Sequence, residues 1–227
     1  MKSLRLLILP VLLFTATLHG KEYRSMAVGY IFEQSQLNDA EVEYTSKVHN
    51  YGYRFNAFYM TQNYLVVGEF AYYPKQDSAK GFQNDYRFTS NMEQITFRAD
   101  AGLKKYIVPY VFFAPTIGLR YTDYQSSIDW AYNNSHRSIH ESMSQIPLSL
   151  HVGYSVTPTS DILFGIDIDE DISDLETHDY KEYTVKYFLT FRNNITINSS
   201  YARISKLNPD DARQVIQQFS FTIGFRF

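Results

Sequence analysis

Acids and a histidine in the segment DIDEDISDLETHD (167–179) are the residues with the most evident potential for chemistry. His178 and Asp179 follow Asp169 and Asp171, and an Asp–His pair can activate a water molecule for hydrolysis. Asp169, His178 and Asp179 are therefore candidate catalytic residues. A solvated acidic loop explains the same residues without any reaction, and this simpler interpretation is favoured.

Asp167, Asp169 and Asp171 alternate with other residues, which is the rhythm of oxygen ligands in a calcium-binding loop. The helix–loop–helix motif requires Gly at its sixth position and Glu at its twelfth, where this sequence has Ile172 and His178. That motif is excluded. A looser cation site stays open, with the three aspartates as its candidate ligands.

A third polar segment, residues 122–142, contains Trp130, Tyr132, His136 and His140. Two histidines four positions apart can share a helical face and bind a metal, but no nearby acid completes a ligand set. We interpret the segment as an exposed loop. Its aromatic residues could contact a host or phage partner, because loops on rigid scaffolds often carry function.

The composition limits the possible classes of function. The 227 residues carry a formal net charge of −3, from 21 basic and 24 acidic residues, and include no cysteine. Without cysteine there is no disulfide framework and no thiolate metal site. The sequence has no stripe of basic residues that would indicate nucleic-acid binding, and it has no cofactor-binding motif. Aromatic residues make up 17% of the chain, which favours β-strands.

The first twenty residues, MKSLRLLILPVLLFTATLHG, are typical of a secretory signal peptide. Lys2 and Arg5 precede a short apolar core at residues 6–14, which is too short for a membrane-spanning helix. We expect cleavage near Gly20. Residues 21–227 then form one exported domain.

The rest of the chain alternates apolar and polar residues with a period of two, which predicts strands with one apolar and one polar face. The clearest example is IPLSLHVGYSV (146–156). Ten strands are predicted, near residues 25–33, 51–59, 64–73, 95–103, 111–121, 146–156, 162–169, 183–192, 195–204 and 218–227.

The connections between these strands alternate strictly between short and long. TQN, KKY, TPTS and NN are tight turns, whereas five other connections are longer and more polar. This alternation places all the short connections at one end of the sheet. The five long connections are predicted near residues 34–40, 74–91, 122–142, 169–179 and 205–213.

The C-terminal sequence FSFTIGFRF resembles the C-terminal signature of the bacterial outer-membrane β-barrel superfamily. Its alternating residues are Phe219, Phe221, Ile223, Phe225 and Phe227. In that superfamily the pattern is recognised by the barrel assembly machinery. The resemblance implies an all-β, closed, antiparallel up-and-down transmembrane barrel in the outer membrane of a Gram-negative bacterium. Ten strands are expected, with eight as the alternative if the weak strand at 195–204 and a neighbour are misread.

Chemistry indicates which face of the strands lies outside. Tyrosines near the ends of the apolar faces suit interfacial girdles, so we expect these faces to contact lipid rather than a lipocalin-like interior. The polar faces would then form a paired charge network inside a narrow or plugged lumen. Its predicted members are Arg54, Glu69, Arg98, Asp100, Arg120, His151, Asp167, Lys186, Arg192 and Arg226.

Two prolines lie within predicted strands, Pro115 and Pro147. Because proline cannot donate to a strand ladder, we expect a β-bulge at each.

The sequence favours a monomeric barrel with a structural or surface-interaction role through its external loops. One alternative is a hydrolase at the rim, either a protease or a lipid A-modifying enzyme. Lipid A deacylases place His and Ser two apart on one strand, and Ser149 with His151 gives only a reversed match. The other alternative is a narrow channel for a specific solute. Expected partners are outer-membrane lipid, lipopolysaccharide and the assembly machinery.

Overall fold

The computed structural model describes residues 23–39, 44–83, 86–108, 111–130, 135–157, 160–171, 180–191, 193–207 and 213–227. The predicted signal peptide (1–20) lies outside this part of the chain. None of the described residues belongs to a helix long and apolar enough to cross a membrane. The strands are β1 (Tyr23–Asp39), β2 (Tyr44–Met60), β3 (Tyr64–Gln83), β4 (Tyr86–Leu103), β5 (Lys105–Val108), β6 (Val111–Trp130), β7 (Ser135–Thr157), β8 (Ser160–Asp171), β9 (Tyr180–Thr190), β10 (Ile195–Leu207) and β11 (Arg213–Arg226).

The strands form one closed antiparallel barrel. Each strand pairs with its sequence neighbours, β1 pairs with β11, and β4 pairs with β6. The short β5 also pairs with β6 and follows β4 after Lys104, so β4 and β5 act as one barrel strand. The barrel therefore has ten strands, as predicted, and the eight-stranded alternative is wrong.

The apolar faces of the strands lie on the outside of the barrel. On β1, Val28 and Tyr30 are 61% and 69% exposed, whereas Ala27 and Glu33 are 3% and 4% exposed. The same alternation continues around the barrel. An exposed belt of this composition is stable only against acyl chains. In water, each large apolar side chain would forgo roughly 1.5–3 kcal/mol of transfer free energy.

The end of the barrel with the short connections, here called the turn end, also holds both ends of the described chain. At the β2–β3 turn, the Thr61 hydroxyl accepts hydrogen bonds from the backbone N–H groups of Asn63 (3.1 Å) and Tyr64 (2.9 Å). At the β9–β10 turn, Asn194 adopts a positive φ of 63°. These turn-stabilising features involve residue types that favour turns, which explains why the short connections could be predicted from sequence.

The opposite end, here called the hairpin end, differs from the prediction. β3 and β4 continue to Gln83 and Tyr86, and β6 and β7 continue to Trp130 and Ser135. β1 likewise continues to Asp39. Most of the predicted loops at 34–40, 74–91 and 122–142 are therefore strand, and those three predictions were wrong. The reason is that a strand with water on both faces has no apolar face, so the period-two signal disappears although the pairing continues.

The two prolines do not produce bulges, so this prediction was also wrong. Pro115 lies opposite Leu150 of β7, and Pro147 lies opposite Asp169 of β8, both without a change of register. The predicted faces of these strands are nevertheless correct.

The pairing is instead interrupted on the other side of each proline. β6 pairs with β4 up to Thr116 and with β5 from Phe113, which leaves Pro115 between them without a partner on that side. The pairing between β6 and β7 likewise omits residues 118–119, opposite and next to Pro147, and resumes in the same register. Each missing N–H thus opens a gap in one ladder and leaves the other ladder intact.

The C-terminal strand closes the barrel. β11 pairs with β1 along its whole length, and the Phe227 N–H donates to the carbonyl of Arg24 at 3.0 Å. Its alternating apolar side chains all lie on the lipid-facing surface; they are Phe219, Phe221, Ile223, Phe225 and Phe227, each 49–63% exposed. A fully paired last strand explains why the aromatic pattern continues to the final residue.

Candidate functional site

A network of buried charges crosses the middle of the lumen, and Arg98 of β4 is its centre. Arg98 Nε donates to Asp100 Oδ2 and Nη1 to Asp167 Oδ2, both at 2.6 Å, and Nη2 donates to Ser149 Oγ at 2.8 Å. The Glu182 carboxylate lies 3.6 Å from Nη1. Arg98 therefore links β4 to β7, β8 and β9 across the barrel interior.

Two further sets of ion pairs complete this central layer. Arg120 Nη2 donates to Glu182 at 2.6 Å, which ties β6 to β9. Glu69 of β3 accepts from both Arg54 of β2 and Lys186 of β9, so one carboxylate joins two neighbouring strands to the opposite wall. Because every charge in this group has a partner, the cost of burying it is largely offset.

A polar layer lies on the hairpin side of these charges. The Glu33 carboxylate accepts from Gln218 Nε2 at 2.8 Å and from Asn50 Nδ2 at 3.3 Å. Glu33 and Asn50 are 4% and 0% exposed. This layer binds β1 to both of its neighbours, β2 and β11, from the inside.

An apolar cluster fills the lumen towards the turn end. It consists of Phe58, Leu65, Val67, Phe112, Ala114, Leu163 and Phe188. Lys104 lies beside it, with its Nζ 4.3 Å from the centre of the Phe112 ring and 2.9 Å from the Tyr106 hydroxyl. The cluster and the central charges thus form two successive layers of side chains across the lumen.

His151 lies between these two layers on the inner face of β7. It is 2% exposed and faces Gly165 of β8, and Thr184 of β9 is the next residue in the same row. A Cβ on Gly165 would lie 2.4 Å from Thr184 Oγ1 and 2.9 Å from His151 Nδ1. The space beside Gly165 is therefore occupied by these two polar side chains.

The acidic candidates are divided between the lumen and undescribed parts of the chain. Asp167 is 1% exposed and bound to Arg98, so it belongs to the lumen network and not to an external loop. Asp169 and Asp171 lie at the end of β8, and nothing is described of their side chains. Three predicted site residues lie outside the described residues: His178, Asp179 and Arg192.

The two histidines of the β6–β7 hairpin lie on a strand, so the interpretation of their segment as an exposed loop was wrong. Each one contacts an aspartate: His136 Nδ1 lies 2.7 Å from Asp129 Oδ1, and His140 Nε2 lies 2.9 Å from Asp123 Oδ1. The described residues contain no cluster of three or more metal-ligating side chains.

Sequence reasoning missed three charged residues of the lumen: Glu33, Lys104 and Glu182. The signal for Glu182 was present, because it precedes the outward Tyr183 and must face inwards. Lys104 lies in the KKY segment that is predicted to be a turn, and Glu33 is the last residue of the first predicted strand. Arg226, in contrast, has the predicted inward register, opposite Ser25 of β1.

Several solved structures share this fold. The translocator domain of the autotransporter NalP from Neisseria meningitidis matches with a TM-score of 0.53 and 10% identity, over 100% of this chain and 96% of that one. The outer membrane protease OmpT from Escherichia coli matches with a TM-score of 0.50 and 10% identity, over 94% and 99%. Ail, the attachment invasion locus protein of Yersinia pestis, matches with a TM-score of 0.45 and 13% identity, over 92% and 100%.

No family model and no curated protein sequence matches this chain. At such low identity the structural similarities concern the fold alone. Together with the apolar outer belt, the matches to the NalP translocator domain and OmpT define the class: the chain has the fold of a bacterial outer-membrane β-barrel, and this supports a location in that membrane.

Proposed function

We propose that the protein is a non-conducting outer-membrane barrel that presents its extended hairpins for binding at the cell surface. The proposal includes export through residues 1–20 as a cleaved signal peptide and a monomeric barrel in contact with lipopolysaccharide. In outer-membrane barrels the short turns face the periplasm, so the hairpin end faces outwards.

One observation carries this proposal. The buried charges and the apolar cluster fill the lumen, whereas β3, β4, β6 and β7 continue beyond the closed barrel at the hairpin end. Side chains that pair with one another across a barrel leave little room for a solute. Strands that extend beyond the membrane, in contrast, have no role in spanning it. This combination favours surface interaction over transport.

The test compares bacteria that display the wild type with bacteria that display a shaved variant, in which short Asn-Gly turns replace residues 76–90 and 124–141. Cells are allowed to bind a panel of immobilised serum and extracellular-matrix proteins. We expect wild-type cells to bind at least one surface more strongly, at equal amounts of folded protein. Equal binding by both strains to the whole panel would contradict the proposal.

A further inference from the structure

Four strands form a sheet that continues beyond the closed barrel, here called the projecting sheet: residues 73–83 of β3, 86–94 of β4, 121–130 of β6 and 135–144 of β7. Pairing of β2 with β3 ends at Tyr72, and pairing of β7 with β8 begins at Gln145. Pairing among the four strands continues to the tips, as far as Trp130 opposite Ser135. The projecting sheet therefore has two free edges among the described residues.

The two edges differ in a way that matters for binding. The β3 edge contains Pro74, Lys75 and Lys80, and its register with β4 shifts between Tyr73 and Gln76 and again between Asp77 and Ala79. Proline, lysine and bulges are the usual features that prevent a free edge from pairing with another chain. The β7 edge, SHRSIHESMS (135–144), contains no proline or lysine, and its pairs with β6 keep one register throughout.

The two barrel prolines identify which backbone groups of the β7 edge are free. Pro115 interrupts the pairing of β6 with β4, so the backbone groups at this position face β4. The opposite pair, Pro115 and Leu150, therefore makes no hydrogen bonds within the β6–β7 ladder. Pro147 interrupts pairing towards β6, which places odd-numbered residues of β7 in that ladder. The even-numbered residues of the edge therefore direct their N–H and C=O groups outwards; they are His136, Ser138, His140, Ser142 and Ser144.

The outer face beside this edge has a defined chemistry. His136, Ser138, His140 and Ser142 are all exposed on that face. When the rings are neutral and donate to these aspartates, His136 through Nδ1 to Asp129 and His140 through Nε2 to Asp123, the other nitrogen of each imidazole is a hydrogen-bond acceptor. On β6 and β7 this face carries two carboxylates, those of Asp123 and Asp129, and among the described residues of these two strands it carries no lysine or arginine. It therefore complements a strand with donors, and in particular with lysines, on one side.

We propose that the β7 edge binds an extended, lysine-containing segment of a partner protein by adding it as a fifth strand to the projecting sheet. This inference rests on the proposed surface-interaction function and names the class of partner. Main-chain hydrogen bonds to the even-numbered residues supply affinity, and side chains opposite His136 and His140 supply selectivity.

The experiment uses a fluorescein-labelled ten-residue peptide of alternating threonine and lysine, with binding measured by anisotropy against the full-length mature barrel in detergent micelles. The control peptide has the same sequence and charge but methylated backbone nitrogens at every second residue. We expect the control peptide to bind at least tenfold more weakly, because methylation removes the ladder donors. Equal binding of the two peptides, or no binding of either, would overturn the proposal.

Two protein variants test the edge itself. Ser138→Pro and Ser142→Pro each remove one outward N–H and spare the β6–β7 ladder, so both variants should fold. We expect each to raise the peptide Kd at least tenfold, whereas Ser138→Ala should stay within twofold of the wild type. Unchanged binding by both proline variants would overturn the edge assignment.

Amide hydrogen exchange provides a measurement that needs no variant. In the free protein, the amides of Ser138 and Ser142 should exchange faster than those of Ile139 and Glu141. Addition of the peptide should slow the exchange of Ser138 and Ser142. If displaying cells keep their surface binding with Ser138→Pro but lose it with the shaved hairpins, the proposed function stands and the edge-binding inference fails.

Discussion

At the scale of single residues, the lumen depends on charges that have no access to water. Arg98 is 4% exposed and has three carboxylates within 3.6 Å. Each carboxylate tolerates burial because of this guanidinium. Removal of one partner from a buried ion pair typically costs about 3–5 kcal/mol, more than removal of both partners together.

Arg98→Met should therefore destabilise the barrel by about 3–5 kcal/mol, because it leaves Asp100 and Asp167 buried without their main partner. The measurement is the urea midpoint for unfolding of the purified barrel in detergent. The folded and unfolded fractions are read from their separate bands on unheated gels. Adding Asp100→Asn and Asp167→Asn should restore part of the loss. A control variant, Arg203→Met on the exposed outer face of β10, should keep the wild-type midpoint.

The inward position of these residues could be predicted from sequence, but their pairing could not. Alternation places Arg120 and Glu182 on inner faces, because Leu119 and Tyr183 beside them face lipid. That the two side chains meet across the lumen depends on the stagger between strands 62 residues apart in sequence. Sequence periodicity determines which face of the strand a residue lies on, but it does not determine the position of that residue along the axis of a barrel with tilted strands.

At the scale of elements, the closing pair of strands is held by a close approach of two backbones. A Cβ on Gly224 of β11 would lie 1.8 Å from the carbonyl oxygen of Met26, and a Cβ on Gly29 of β1 would lie 1.9 Å from that of Phe221. Both glycines face the lumen. Here any side chain would push β1 and β11 apart.

Gly224→Ala should lower both the folding yield and the stability, by about 1–3 kcal/mol, since the backbone must shift to remove the overlap. Refolding into detergent micelles, with the folded fraction read from unheated gels, measures the yield. Gly165→Ala is the comparison variant, because its Cβ would meet side-chain atoms of Thr184 and His151 rather than backbone, so its loss should be smaller. Equal losses for both variants would contradict the role assigned to this close backbone approach.

The same scale shows where sequence reasoning about elements stops. Lipid on one side and a packed lumen on the other produce strict alternation, so all ten barrel strands were predicted. Above the membrane, β6 carries residues such as Asp123, Gln125 and Ser127 on its outer face. Water meets such a strand on both faces, and only the pairing register reveals it. Pro115 and Pro147 were recognised as irregularities, but the form that they take depends on which neighbour each missing N–H faces.

At the scale of the whole molecule, the barrel wall and its contents have separate roles. The wall needs only alternating faces and closure, whereas the contents determine whether anything passes. Phe58 and Phe188 from opposite walls meet with ring centres 4.8 Å apart, and Lys104 occupies the space beside Phe112. The central ion pairs form a second barrier in series. Opening one barrier alone should therefore leave the lumen blocked.

This series arrangement predicts a specific pattern of conductance in planar bilayers. The wild type and the variant Phe112→Ala with Phe188→Ala should both show no stable single-channel steps, because the charge layer remains in place. Adding Glu69→Ala, Arg98→Ala, Asp167→Ala and Lys186→Ala to that variant should produce steps, since these changes remove the links from β3 and β4 to the opposite wall together with two rings of the apolar cluster. Steady conductance by the wild type would contradict the filled lumen and would favour a narrow solute channel instead.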